Sequence, residues 1–255
     1  MKYIIDTKKN KLTIAQGLKR KKLDLYSKDS FENISDLWVK IGWNERYYST
    51  FSWLGLPVLQ LPEDILRVQE LIYNLKPDVI VECGVCQGGS VLLYASILKI
   101  LGKGRVIGVD INISDETKVA VQNCLCSEYI TLIEGNSVAP EIVNQVKSSI
   151  KPDEKVLVIL DSCHTKDHVY KELESYSDLV NVGSYIIATD GIIEEFCDTP
   201  LGEAEWKTDN AQTAVKDFLK THNEFVLEQP QWLFNRSLLS KNITYWPNSW
   251  LKKVK

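Results

Sequence analysis

From Pro62 onward the hydrophobic positions fall into two alternating periods. Proline suits a first helical turn, and Ile65, Leu66, Val68, Leu71, Ile72 and Leu75 follow at helical spacing until Lys76-Pro77 stops the run. Short apolar runs then appear at Val79 to Cys83, Arg105 to Asp110, Ile130 to Glu134, Val156 to Asp161 and Ser184 to Thr189. Helical patterns separate them, starting near Gly88, Asp115, Pro140 and Lys166. Runs such as VLVIL and YIIA are apolar without alternation, as expected of parallel strands covered by helices on both faces. The pattern predicts a Rossmann-like, doubly wound α/β sheet. It continues with a helix around Ala211 to Lys220 and two strand candidates, Glu224 to Leu227 and Trp232 to Phe234, on either side of Pro230. No internal repeat or low-complexity segment interrupts it.

The first sixty residues lack this regularity. They are read as an N-terminal extension, 1–60, ahead of a main domain, 61–255. The basic run Lys19 to Lys22 reads as a solvated face. The aromatic density of WVKIGWNERYYSTFSWLGLP, with Trp38, Trp43, Tyr47, Tyr48, Phe51 and Trp53, is either packing on the core or a lid over a ligand pocket.

Composition narrows the class. At 44% hydrophobic, 255 residues can bury a sizeable core. A net charge of -4 leaves no global basic field for nucleic acid or anionic membrane, so a small-molecule or glycan partner is expected and nucleic acid is not. The start, MKYIIDTKKN, lacks the apolar region of a signal peptide, and no run is long enough to span a membrane. Six cysteines in so long a chain read as reduced thiols, which favours the cytoplasm. Cys83-x-x-Cys86 and Cys124-x-Cys126 have poor spacing for a zinc module and read as small buried hydrophobes.

The chemistry begins where the first sheet strand runs into VECGVCQGGS. Glu82, Gly84, Gln87, Gly88, Gly89 and Ser90 form a turn that opens a helix, where close backbone approach and free N–H groups suit a nucleotide-like cofactor. A dinucleotide site wants G-x-G-x-x-G, whereas the spacing here is Gly84-x-x-x-Gly88-Gly89, and Glu82 would be a poor neighbour for pyrophosphate. E-x-G-x-x-x-G resembles instead the first motif of S-adenosylmethionine methyltransferases, whose ligand carries ammonium and sulfonium charge. Asp110 closes the second strand about twenty residues on, where a carboxylate can accept ribose hydroxyls. After the third strand, Asn136 and Ser137 are expected beside the adenine.

Two further acids close strands, Asp161 in VLVILDSCH and Asp190 in SYIIATDG. Facing one cleft, they can share a divalent cation, with oxygen donors favouring magnesium. His164, one of three histidines, stands three residues after Asp161 and is a candidate base. The alternative is that Asp161 and His164 cap the helix near Lys166.

The segments YYSTFSWLGLPVLQLPEDI, PDVIVECGVCQGGS, VLVILDSCHTKDHVYKELESYSDLVNVGSYIIATDGI and AVKDFLK resemble the cephalosporin hydroxylase-like family, which includes rhamnosyl and macrolide-sugar O-methyltransferases. The resemblance runs from Tyr47 to the C-terminus. It implies a class I methyltransferase fold, mostly parallel with one antiparallel strand. It also implies S-adenosylmethionine as methyl donor, and Mg2+ held by an aspartate at the fourth strand and an acidic pair after the fifth, with an Asp-x-x-His histidine as base. Asp161, His164 and Asp190 match that pattern, while Thr189 stands where the first acid of the pair is expected. Asp161 borders both the cofactor and the metal. The competing readings are an NAD-dependent sugar oxidoreductase or epimerase, and a metal-free nucleoside-binding module. The tryptophan-rich tail WPNSWLKKVK is expected to pack against a partner subunit in a homo-oligomer.

Overall fold

Unbroken apolar strands can lie only where helices cover both faces of a sheet, and the computed structural model, which describes residues 1–255, is built on that constraint. The chain opens with β1 (Lys2–Asp6), β2 (Lys11–Gln16) and β3 (Lys19–Asp24), followed by α1 (Lys28–Asn44) and the short strands β4 (Ser52–Trp53) and β5 (Leu56–Pro57). The main body continues with α2 (Pro62–Leu75), β6 (Val79–Cys83), α3 (Gly89–Leu101), β7 (Arg105–Asp110), α4 (Asp115–Gln122) and β8 (Ile130–Glu134). After these come α5 (Pro140–Ser148), β9 (Val156–Leu160), α6 (Lys166–Tyr176), β10 (Tyr185–Ala188), α7 (Ala211–Phe218), β11 (Phe225–Leu227) and β12 (Trp250–Lys253).

Seven strands form the central sheet in the order β11-β12-β10-β9-β6-β7-β8. Pairing is parallel from β10 through β8, and β12 runs antiparallel between β10 and β11. Every residue of β6, β9 and β10 is buried. One core lies on each face of the sheet, the first around α2 and α3 with Trp246 and Trp250, the second around α5, α6 and α7. Helix α3 is buried over nearly its whole length, so it is apolar all round rather than amphipathic. The doubly wound expectation holds, and the single antiparallel strand is present.

Three local expectations fail. The first sixty residues are not irregular: β1, β2 and β3 make an antiparallel sheet, and Ser27 caps the 17-residue α1 by accepting from the N–H of Ser30. The lysines and arginine of β3 hid that strand, because five of its six residues are exposed and give no apolar alternation. Trp232 to Phe234 is not a strand. The sheet is completed instead by Trp250–Lys253, so the tail expected to meet a partner subunit is an internal strand, with Trp246 and Trp250 in the core.

Candidate active site

The five parallel strands end at one edge of the sheet, and the loops that leave β6, β9 and β10 meet over a cavity of about 260 Å³. Its walls include Gly84, Gln87, Gly89 and Ser90 from the turn after β6, and Asp161 and His164 after β9. Asp190 after β10 and Gln60 ahead of α2 complete the polar wall. Trp43, Tyr48 and Tyr245 close it with aromatic surface.

The turn after β6 depends on glycine for a reason other than ligand approach. A Cβ on Gly84 would stand 2.0 Å from the carbonyl oxygen of Asp161, and one on Gly89 would stand 1.9 Å from that of Pro57. Backbone thus packs on backbone, locking the turn to the loop after β9 on one side and to the β5 segment on the other. Asp110 holds the same turn from below, accepting from the backbone N–H groups of Val85 and Cys86 at 2.8 and 2.9 Å. Glu82 is wholly buried, and neither carboxylate oxygen has a hydrogen-bond partner. Burial, reinforced by the nearby Asp161 charge, pushes its carboxyl well above the usual range.

Not all the expected cofactor residues line the cavity. Gly84, Gln87, Gly89, Ser90 and Asp161 do; Glu82, Gly88, Asp110, Asn136 and Ser137 stand behind or beside it. Asn136 caps its own turn by accepting from the N–H of Val138 at 3.1 Å. The hydroxyl of Ser137 donates to the buried Glu172 at 2.5 Å, which also accepts from Ser162 at 2.7 Å. That carboxylate joins the loop after β8 to the loop after β9.

Asp161, His164 and Asp190 form the chemical centre, with one ligand-capable atom from each lying within 4.8 Å of the others. His164 Nε2 is 3.4 Å from Asp190 Oδ2. Asp161 is held at both oxygens: Gln60 Nε2 donates to Oδ2 at 3.2 Å, and Oδ1 accepts from the hydroxyl of Thr189. Thr189, fully buried, also faces the carbonyl oxygen of Leu160 at 2.9 Å and stands outside the cluster. Its hydroxyl is spent inside the protein, which sets it apart from the metal-ligand position expected of it. Asp190 takes a left-handed backbone conformation, φ 54°, which aspartate tolerates better than most residues. Burial raises its carboxyl pKa, His164 acts against that rise, and the Asp161 charge adds to it.

Two members of the site had no local sequence signal. Gln60 is a single amide between apolar neighbours, and Tyr245 lies in the C-terminal segment, 181 residues from the Asp64 carboxylate that accepts its N–H at 2.9 Å. Both are nearly fully buried, and Gln60 Oε1 and the Tyr245 hydroxyl have no partner. A buried unpaired polar atom is costly, so such atoms on a cavity wall point to a ligand that completes them. The aromatic stretch meets both of its expectations' geometry: Trp43 packs on Phe196 and Tyr245, with ring centroids 5.1 and 5.3 Å away, and also lines the cavity.

The antiparallel strand beside the last parallel one is the feature that the methyltransferase resemblance implies. With that strand in place and the cavity at the carboxyl ends, the protein is an S-adenosylmethionine-dependent methyltransferase of class I. Comparison with known sequences carries this further, since the profile described as Rhamnosyl O-methyltransferase/CmcI matches residues 45–254. The chain belongs to that family. A rhamnosyl O-methyltransferase of Mycobacterium leprae is 29% identical over 162 residues, 62% of this chain and 68% of that protein. Among solved structures, apo CmcI superposes with a TM-score of 0.57 at 21% identity, covering 81% of this chain and 77% of CmcI. CmcI with Mg and SAM superposes at 0.54 and 20% identity, covering 81% and 78%.

Proposed function

We propose that the protein methylates a sugar hydroxyl, in a glycan or a secondary-metabolite precursor, with Mg2+ assistance at Asp161 and Asp190 and with His164 as the base. The observation that carries this reading is the convergence of Asp161, His164 and Asp190 on one wall of a cavity whose opposite wall is the glycine turn and the start of α3. The names of the relatives support the sugar acceptor.

The residues fit the groups they would hold. Gly84, Gln87, Gly89 and Ser90 would bind the cofactor through the turn and the free N–H groups at the α3 N-terminus, with Asp110 keeping that turn in shape. When bound, S-adenosylmethionine supplies an electrophilic methyl group. Asp161 and Asp190 are hard oxygen donors of the kind Mg2+ takes, and when bound the ion supplies positive charge against a developing alkoxide. With Thr189 contributing no charge, the protein gives the metal two carboxylates, and loose binding is expected.

The chain's own part is positioning and proton transfer. Gln60 and Thr189 fix the rotation of the Asp161 carboxylate, so its outward lone pairs face the cavity. His164 accepts the hydroxyl proton, and Asp190 beside it favours the imidazolium that results. Trp43 and Tyr48 offer flat apolar surface to the C–H face of a sugar and exclude water. We read residues 1–60 as an extension of the methyltransferase domain, with Trp43 to Leu56 as a cover on the pocket. The six unpaired cysteines support a reducing, cytoplasmic setting.

The test is transfer of labelled methyl from S-adenosylmethionine to a panel of rhamnosides, sugar nucleotides and lipid-linked sugars, with and without chelator. Label on a sugar oxygen, lost with chelator and restored by Mg2+, is the expected result. Cofactor binding with no transfer to any sugar overturns the acceptor reading. Transfer indifferent to chelator overturns the metal.

A further inference from the structure

The charge of this chain is divided between two parts of opposite sign. Residues 1–24 carry eight lysines and arginines against two aspartates, a net +6, so the remaining chain carries -10. The three strands that gather this charge lie outside the residues matched by the family profile. They form the β1-β2-β3 sheet, whose register sorts the side chains onto two faces. Leu12, wholly buried, marks the covered face, and Lys21 on that face pairs with Asp29 of α1 at 3.2 Å.

The other face is open. Across it Lys2 stands in register with Ala15 and Arg20, Ile4 with Thr13 and Lys22, and Asp6 with Lys11 and Asp24, so the two aspartates lie at the end of this face away from the Gly17 turn and the cations Lys2 and Arg20 at the end next to it. The hairpin turns through Gly17, φ 57°, and presents Leu18 fully to solvent, with Lys19 next to it. Ion pairs in this sheet are confined to Lys9 with Asp6 and Lys21 with Asp29, so Lys2, Arg20 and Lys22 on this face and Lys19 beside the tip form no ion pair. Acidic surface elsewhere does not cancel them, because at physiological ionic strength charges more than about 8 Å away are largely screened.

We infer that this face docks the protein on a bilayer surface rich in anionic phospholipid. Uncompensated cations match headgroup phosphates, and the apolar side chains among them, Ile4 on the face and Leu18 at the tip, match the acyl boundary beneath. That pairing of charge with exposed aliphatic surface is what separates a lipid partner from a nucleic acid. Single-stranded nucleic acid would call for exposed aromatic rings, and the sheet's one aromatic residue, Tyr3, lies on the covered face in register with Ile14 and Lys21. The sheet abuts the beginning of α1, whose other end supplies Trp43 to the catalytic cavity. A 17-residue helix is about 25 Å long, which sets the span of α1 between the sheet and Trp43. The inference is independent of the acceptor and metal readings.

The experiment is co-sedimentation of the full chain with vesicles of phosphatidylglycerol and phosphatidylcholine, against phosphatidylcholine alone, at low and high salt. Binding to the anionic vesicles only, weakened by salt, is expected. The double variant Arg20→Glu/Lys22→Glu should weaken it roughly 25-fold or more, at about fivefold per lost cation. Leu18→Ser should weaken it roughly tenfold, in line with partial insertion of one leucine. Unchanged S-adenosylmethionine binding in each variant certifies the fold, and Lys19→Glu serves as a replacement if the double variant fails that control. Equal binding to both vesicle types, or anionic binding untouched by the variants, overturns the inference. So does retention on duplex DNA or heparin through these residues with no vesicle binding, which would make the partner another polyanion.

Discussion

The two ends of the central sheet each carry a hollow, and the larger one does not hold the candidate site. The cavity at the amino ends of the parallel strands holds about 680 Å³, against 260 Å³ at the carboxyl ends. Its charged walls are already matched, with Arg67 to Glu70 and Lys252 to Glu228 each at 2.7 Å, and Arg67 stacked 4.2 Å over the ring of Trp232. The smaller cavity has two carboxylates with one imidazole between them, and two buried polar atoms that no side chain completes. Volume alone does not make a site; unfinished polarity does. Strand direction explains the difference, since helices start above the carboxyl ends and loops that end in acids converge there.

Substitutions can break this contrast. The largest effect is expected for His164→Ala, with turnover falling roughly 10²–10⁴-fold and cofactor affinity nearly unchanged, as befits loss of a general base. Steady-state kinetics with calorimetry checks it, and full turnover in the variant removes His164 from the proton path.

Next comes Asp64, sealed beneath the cavity, where it accepts from Thr244 and from the N–H of Tyr245. Burial raises its pKa from 3.8 to about 8, so its contribution to stability is fully present below 3.8 and lost as pH rises through 8. Asp64→Asn should therefore gain on the wild type between pH 5 and pH 9, by an amount of order 2–5 kcal/mol. Parallel melting curves at the two pH values would reject the assignment.

Asp110→Ala should weaken S-adenosylmethionine binding by about 1.5–3 kcal/mol, the worth of hydrogen bonds to a charged acceptor. Here the loss arises from the turn, whose two N–H groups it holds. Calorimetry with an intact fold and unchanged affinity would separate Asp110 from the site. Smallest of all is the far cavity, where Glu228→Gln breaks an exposed pair and should change stability by no more than about 1 kcal/mol and leave methyl transfer alone. A loss of activity there would undo the comparison.

Much of this was legible along the chain. The strands β6, β9 and β10 could be read because every residue in them is buried, so apolar identity persists residue by residue. The glycine turn, Asp110, Asp161 and Asp190 could be read because each closes or follows a strand of the parallel sheet. Where side chains face water, as in β3, or where a segment pairs only with distant chain, as in β12, the local pattern carries no mark of the element. The order of the acids along the sequence likewise says nothing of which ones reach the cavity.

The sequence by itself determined the doubly wound core, the turn that opens α3 and the acids that close the strands, because these follow from local periods of hydrophobicity and from residue types at strand ends. Only the tertiary structure decided how those parts are used. It turned Thr189 inward onto Asp161, brought Gln60 and Tyr245 to the cavity, and made the tail a strand of the sheet. It also set Lys2, Lys11, Arg20 and Lys22 on one open face. Contacts between residues tens to hundreds of positions apart depend on how whole elements pack, and no short window of sequence contains both partners.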